Sequence, residues 1–196
     1  MKKILIAIYG ASGAGKDTIV NNLCKINENL FKIVRHTTRP KRPSEVDGFD
    51  YHFVSTEVAL SLLDDEVLEM NNHNNWFYYT DATSISEGLN VGSFSEEATL
   101  SLINYAKDKD DLEVIPVRIN CNKKTRLYRA LERGGDIDET IRRFYFESQE
   151  KPVGVEPVSV ISNEQNLDNL IVEEEIIYYQ DILIKILSDK ITESYI

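Results

Sequence analysis

The sequence predicts an α/β fold, a parallel sheet covered by helices on both faces. Nearly continuous apolar runs at Lys3–Tyr9, Glu113–Asn120 and Val158–Ser162 read as strands buried on both sides. Helical periodicity separates them, as in Lys16–Ile26, where Ile19, Val20, Leu23 and Ile26 share one face. The first run ends in a glycine-rich loop, Gly10-Ala11-Ser12-Gly13-Ala14-Gly15-Lys16-Asp17-Thr18, which opens the first helix. Strands alternating with helices in this way give one parallel sheet with helices on each face.

The remaining elements follow in order. Phe31–His36 reads as a strand, and Thr37–Gly48 as a charged loop in which Pro40 and Pro43 exclude regular structure. Phe49–Val54 alternates like a half-exposed strand, and Thr56–Leu63 reads as a helix capped by Ser55. Trp76–Tyr79 is a short aromatic strand. Lys123–Arg133 is a helix that Gly134 ends, Asp138–Glu150 a further helix, and Leu167–Leu187 a long amphipathic one. The short strands, aromatics and polar residues in the middle of the chain read as an inserted lobe. The expected organisation is one domain over 1–196: a core of about 1–34, 81–128 and 151–196, a lobe of about 35–80 and a lid of about 129–150.

Composition narrows the function classes. A chain of 196 residues with 42% hydrophobic content is a globular domain with a core, not a disordered segment. With 22 Lys and Arg against 33 Asp and Glu, the net charge of −11 argues against a nucleic-acid or membrane surface. Any anion site is therefore a local cationic focus in an acidic protein. No apolar run is long enough to span a bilayer and no secretory signal is visible, so the expected location is cytoplasmic, as a monomer or homodimer. Cys24 and Cys121 lack metal-ligand spacing and read as reduced, buried thiols; His36, His52 and His73 lack it too.

The glycine loop carries the chemistry. Glycines let the backbone fold back so that several N–H groups face one anion, while the helix N-terminus and Lys16 add positive charge. A strand before the loop and a helix after it are the context a phosphate-binding loop requires. Asp17 stands where most such loops carry a hydroxyl for Mg²⁺, and the hydroxyl comes one residue later at Thr18.

A second signal is His36-Thr37-Thr38-Arg39-Pro40-Lys41-Arg42-Pro43, continuing through Glu45, Gly48 and Tyr51 to Phe53. Two guanidiniums on a proline-stiffened loop can hold an anion at little ordering cost, and the Tyr51 phenol can add a donor. Alone, the segment reads more readily as a solvated basic loop, the usual fate of such runs. Its order, however, resembles the nucleotide-substrate loop of guanylate kinases, T-T-R-x-P-R-x-G-E-x-x-G-x-x-Y-x-F. Leu68-Glu69-Met70, Phe77-Tyr78-Tyr79-Thr80, Arg129-Ala130-Leu131-Glu132-Arg133-Gly134 and Val160-Ile161-Ser162-Asn163 with Leu167-Asp168 resemble further landmarks of that family, in the family's order.

The resemblance implies a P-loop NTPase fold with an inserted nucleotide-substrate lobe and an arginine-bearing lid. It implies ATP-dependent phosphoryl transfer to a monophosphate, GMP or dGMP, with ATP and Mg²⁺ required. Residues 10–18 and Asn163 would hold the donor nucleotide, with Thr18 on the metal. Arg39, Arg42, Tyr51 and Tyr78 would grip the acceptor phosphate, and Glu69 and Thr80 would face the base. Lid arginines would come from Arg126, Arg129, Arg133, Arg142 and Arg143, with Lys16, Arg129, Arg133 and Arg143 acting on the transferred group. Arg129 and Arg133, four apart on one helix face, repel unless an anion arrives between them; a salt-bridged surface helix is the equal alternative.

Several positions depart from the family pattern. Arg35 or His36 stands where a small hydroxyl residue is usual near the base. The aspartate-bearing strand is reduced to Leu89-Asn90-Val91-Gly92. Tyr79 replaces a turn glycine, with Trp76 before it, and Phe144 stands where a lid arginine is expected. The phosphate-reading set is thus nearly complete and the base-reading set partial. Two other readings stay open. One is a related kinase acting on ribose 1,5-bisphosphate, favoured by Gly15-Lys16-Asp17 and by Arg35 ahead of Thr38-Arg39-Pro40. The other is a non-catalytic binding module, disfavoured by the intact Lys16 and glycines.

Overall fold

The structure, a computed structural model, describes residues 2–43, 45–62, 67–73, 75–132, 137–149, 152–164 and 172–193. The chain runs β1 (Lys3–Tyr9), α1 (Lys16–Ile26), β2 (Leu30–Lys32), β3 (His36–Thr37), β4 (His52–Phe53), α2 (Thr56–Leu60), β5 (Val67–His73) and β6 (Trp76–Asp81). It continues through β7 (Gly88–Phe94), α3 (Glu96–Ala106), β8 (Leu112–Asn120), α4 (Lys123–Glu132), α5 (Ile137–Glu147), β9 (Ser159–Ser162) and α6 (Val172–Glu193).

β1 is the middle strand because its side chains have an apolar neighbour on either face. It pairs in parallel with β7 and β8, within a sheet ordered β2-β7-β1-β8-β9. Ile6 and Ile8 point to one face, against Ile19, Val20 and Leu23 of α1 and Tyr179, Ile182 and Ile186 of α6. Leu5 and Ala7 point to the other, against Ala98 and Leu102 of α3 and Leu68 of β5. Each fully buried Leu, Ile or Val side chain here stabilises the fold by about 1.5–3 kcal/mol. Helices therefore cover both faces, as the alternating pattern predicts.

A second sheet, ordered β4-β3-β6-β5, mixes parallel and antiparallel pairs. Here the structure departs from the sequence reading in specific ways. Phe31–His36 is not one strand: Leu30–Lys32 belongs to the parallel sheet and His36–Thr37 to the second, and Ile33–Arg35 crosses between them. The expected strand Phe49–Val54 shrinks to His52–Phe53, because the N–H groups of Phe49 and Asp50 both donate to Val46 O in a turn. β5 pairs with β6 without clean alternation of burial along its length, which is why it gave no periodic signal.

The aspartate-free segment is not a shortened remnant but the full strand β7, in register with β1 from Lys3↔Gly88 to Tyr9↔Phe94. Ser55 does cap α2, accepting from the Val58 N–H, but the helix stops at Leu60. α5 ends at Glu147 and α6 extends to Glu193. Gly134 and Leu167-Asp168 lie outside the described residues. Among the described residues no helix is long and apolar enough to cross a membrane.

Candidate active site

The loop between β1 and α1 is shaped by contacts behind it. Gly10 has φ +146°, and a Cβ there would lie 2.4 Å from the Ile119 carbonyl oxygen. Gly15, at φ +90°, would meet Asn163 Nδ2 at 2.4 Å. That amide donates to the Ala14 carbonyl at 2.8 Å. Asn163 is 4% exposed and lies outside the cleft lining, as do Ala14 and Gly15. Asn163, expected at the donor nucleotide, here makes a bracing contact that ties the loop to the end of β9. Lys16 Nζ donates to the carbonyls of Gly10 (2.8 Å) and Ala11 (3.2 Å), at the mouth of the loop.

Asp17 lines the cleft, and its Oδ1 accepts from the Ser93 hydroxyl at the end of β7. Thr18, expected at the metal, is exposed and outside the lining. One residue along a helix turns the side chain by about 100°, so the later hydroxyl faces away while the carboxylate faces in. Mg²⁺ commonly takes one or two carboxylates plus substrate phosphates, and Asp17 fits that donor type. Among the described residues no group of three or more His, Cys, Asp and Glu is placed to hold a metal.

The opposite wall comes from the proline-stiffened loop and the second sheet. Arg39, Arg42, Tyr51 and Tyr78 all line the same cavity as Gly10–Gly13, Lys16 and Asp17, a space of about 840 Å³. The Arg39 guanidinium forks onto Glu45 at 2.7 and 3.0 Å and donates to Pro40 O at 2.8 Å. Glu45 also accepts the Arg42 N–H at 2.8 Å, so one carboxylate sets the spacing of both arginines. Burial pushes the Glu45 carboxyl up, but the Arg39 hydrogen bond, the Arg42 N–H and both charges outweigh it and leave it below its ordinary value. The Arg42 guanidinium stays 45% exposed, 3.9 Å from Glu45. Burial pushes the Tyr51 phenol up to about 12, so it remains a donor at neutral pH. Its ring stands edge-on to Tyr78 at 6.0 Å.

Glu69 and Thr80 do come together: the Thr80 hydroxyl donates to Glu69 Oε1 at 2.8 Å. Neither lines the cleft, and they are 3% and 0% exposed. Arg35 stands in front. Its Nε and Nη2 donate to Glu69 at 2.9, 2.6 and 2.9 Å. Burial pushes the Glu69 carboxyl up, opposed by the Arg35 charge and by hydrogen bonds from Thr80 and Arg35. Glu69 and Thr80, the residues expected at the base, thus lie behind the cavity wall, with the Arg35 guanidinium on the cavity side. From the sequence, Arg35 or His36 stands at this departure, and Arg35 counts toward the ribose 1,5-bisphosphate alternative; its pairing with Glu69 is visible only in the fold.

On the lid side, Arg126 and Arg143 line the cleft. Arg126 donates to Ser12 O at 2.9 Å and to Glu147 Oε1 at 2.6 Å, while the Ser12 N–H donates to Glu147 Oε2 at 3.2 Å. Glu147 thus joins α5 to the glycine loop, a contact no sequence pattern announced. Arg129 does not line the cleft; its Nη1 donates to Asn163 O at 3.1 Å, and it belongs to the bracing behind the loop. Arg133 lies outside the described residues. Phe144 is buried beneath Arg126, with Cζ 5.1 Å from the ring centroid. Sequence reading also missed Ser95, which caps α3 by accepting from Ala98 N–H and is bonded by the Asn71 amide. Its signal was present: Ser95-Glu96-Glu97-Ala98 is a helix-start pattern.

A glycine loop joining the central strand of a parallel sheet to its first helix, facing a lobe that carries two arginines, defines the class of phosphate-loop α/β proteins. Within that class the chain belongs to the guanylate kinase family, whose model matches residues 1–150. A guanylate kinase of Synechococcus sp. (strain JA-3-3Ab) is 28% identical over 187 residues, covering 89% of this chain and 82% of the relative. One of Agrobacterium fabrum (strain C58) is 30% identical over 140 residues, covering 70% and 64%. Among solved structures, guanylate kinase from Anaplasma phagocytophilum shares the fold with a TM-score of 0.58 at 21% identity, over 93% of this chain and 84% of that one.

Proposed function

We propose that this chain transfers the γ-phosphoryl group of ATP to a purine nucleoside monophosphate, GMP or dGMP, giving the diphosphate. The observation that carries this is one shared cleft with Gly10–Gly13 and Lys16 on one wall and Arg39, Arg42, Tyr51 and Tyr78 on the other. Phosphoryl transfer needs two anions held in line and charge neutralised on the group that moves. Loop amides and Lys16 serve the donor phosphates, and Lys16 exchanges its carbonyl partners for phosphate oxygens. Arg42 and the Tyr51 phenol serve the acceptor phosphate, with Arg39 holding Glu45 and hence the spacing of the pair. Arg143 and Arg126 approach from the lid. Mg²⁺, held by Asp17 and the donor phosphates, would neutralise developing charge. Closure of the lobe on the core would exclude water and suppress ATP hydrolysis.

A scaffold-type binding module has no use for a phosphate loop, so the catalytic reading is preferred. The test is ADP release in a coupled assay with ATP, Mg²⁺ and GMP, dGMP, AMP, CMP or UMP, alongside thermal shift with each ligand. Monophosphate-dependent ADP release is the expected result. ATP binding without turnover of any monophosphate would overturn the proposal.

A further inference from the structure

The Glu69 side of the acceptor pocket carries the opposite hydrogen-bonding character from the one its carboxylate suggests. An ionised carboxylate accepts only, and so suits the N1–H and 2-amino hydrogens of guanine. Here both Glu69 oxygens are engaged by Arg35, and Oε1 also by the Thr80 hydroxyl. Glu69 does not line the cavity, whereas Arg35 does. The Arg35 guanidinium uses Nε and Nη2 on Glu69; its Nη1 has no partner among the described residues and is not sealed from solvent. Phe94, which also lines the cavity, packs 5.3 Å from Arg35 Cζ and fixes the plane of the fork.

A fork pinned on one edge offers donors on the other. Guanidinium donors suit the 6-oxo acceptor of a purine and meet the 6-amino donor of adenine badly.

Resting on the reading that the acceptor is a purine monophosphate, we infer that Arg35 is the base-reading residue of this site. It selects a 6-oxopurine through its O6 edge and leaves the 2-amino group unread, so that GMP and IMP are taken alike. Glu69 is a positioning residue that holds the guanidinium. Releasing Glu69 to guanine instead would break a buried, bidentate ion pair and leave Arg35 uncompensated, a costly exchange.

The test is kcat/KM for GMP, IMP and AMP with the wild type, Arg35→Ser and Glu69→Gln. In the wild type, GMP and IMP are expected to agree within about threefold, and both to exceed AMP by about tenfold or more. Arg35→Ser uncovers Glu69, so GMP should then exceed IMP by about tenfold to a hundredfold. Glu69→Gln retains a hydrogen-bond partner for Arg35, and so should leave the GMP to IMP ratio unchanged even if Arg35→Ser fails to fold. A wild-type preference for GMP over IMP of about thirtyfold or more, removed by Glu69→Gln, would overturn the inference while leaving the kinase reading intact. Equal use of AMP would overturn it in the same way. Turnover of no monophosphate, or of ribose 1,5-bisphosphate alone, would overturn the kinase reading and the inference with it.

Discussion

The donor loop and the base end of the acceptor pocket are built on opposite principles. The loop is made mainly of backbone, with glycines at positive φ and bracing from Asn163 behind. The phosphate-facing segment, Gly10–Lys16, is contiguous in sequence, and only its bracing comes from distant residues. The base end is made of side chains that meet only in the folded state, Arg35 reaching Glu69 across 34 positions. There, one residue reverses what the site recognises. A backbone site keeps its ligand class, whereas a side-chain site can exchange donor for acceptor without altering the fold.

Substitution of Lys16 tests the first half of that contrast. Lys16→Ala should lower ADP release by about a hundredfold or more with the melting temperature unchanged, since the loop keeps its backbone and loses charge on the transferring group. Undiminished turnover would remove the loop from the donor role. On the acceptor side, Arg42→Ala removes a charged hydrogen bond to phosphate worth about 1.5–3 kcal/mol. Acceptor KM should rise about tenfold to a hundredfold while ATP KM stays put; a rise in ATP KM alone would reverse the two walls.

Asn163→Ala separates bracing from contact. It leaves the Ala14 carbonyl without its buried donor, and denaturant unfolding should show a loss of about 1–3 kcal/mol. A large rise in ATP KM at unchanged stability would make Asn163 a ligand contact instead. The smallest expected effect lies in the second sheet. Burial lowers the His36 pKa, against the pull of Asp81 3.6 Å away and with a further push from His52. The unfolded chain then binds more protons than the folded one below about pH 6.5, so this group's contribution to stability is whole above that pH and declines as pH falls toward the folded value. His36→Gln should flatten that part of the stability profile, read from melts between neutral and mildly acidic pH.

Much of this was legible in the residues alone, and what was not has a physical reason. The glycine loop, β1, β8 and the helices of the core announce themselves by local spacing. Arg39, Arg42, Tyr51 and Tyr78 were found through their order along the chain. Position 35 was visible as an oddity, but no local pattern says which carboxylate a guanidinium will meet. The same limit applies to Glu147 on the Ser12 amide and to Asn163 behind Gly15, since each contact joins distant segments. The outward direction of Thr18 was not legible, because a motif written in one dimension ignores the rotation of a helix.

The pairing of β1 carries a consequence for how the chain is made. β1 has partners on both edges, but Gly88 and Leu112 lie far downstream of Lys3, their common partner in register. During synthesis the most apolar strand therefore emerges well before either neighbour exists, and the second sheet must be translated before β7 can dock. Long-range parallel pairing of this kind slows folding and prolongs the exposure of unpaired strand edges. The interval between the emergence of β1 and that of β8 is the period in which a nascent chain of this sequence is most open to capture by chaperones or to self-association.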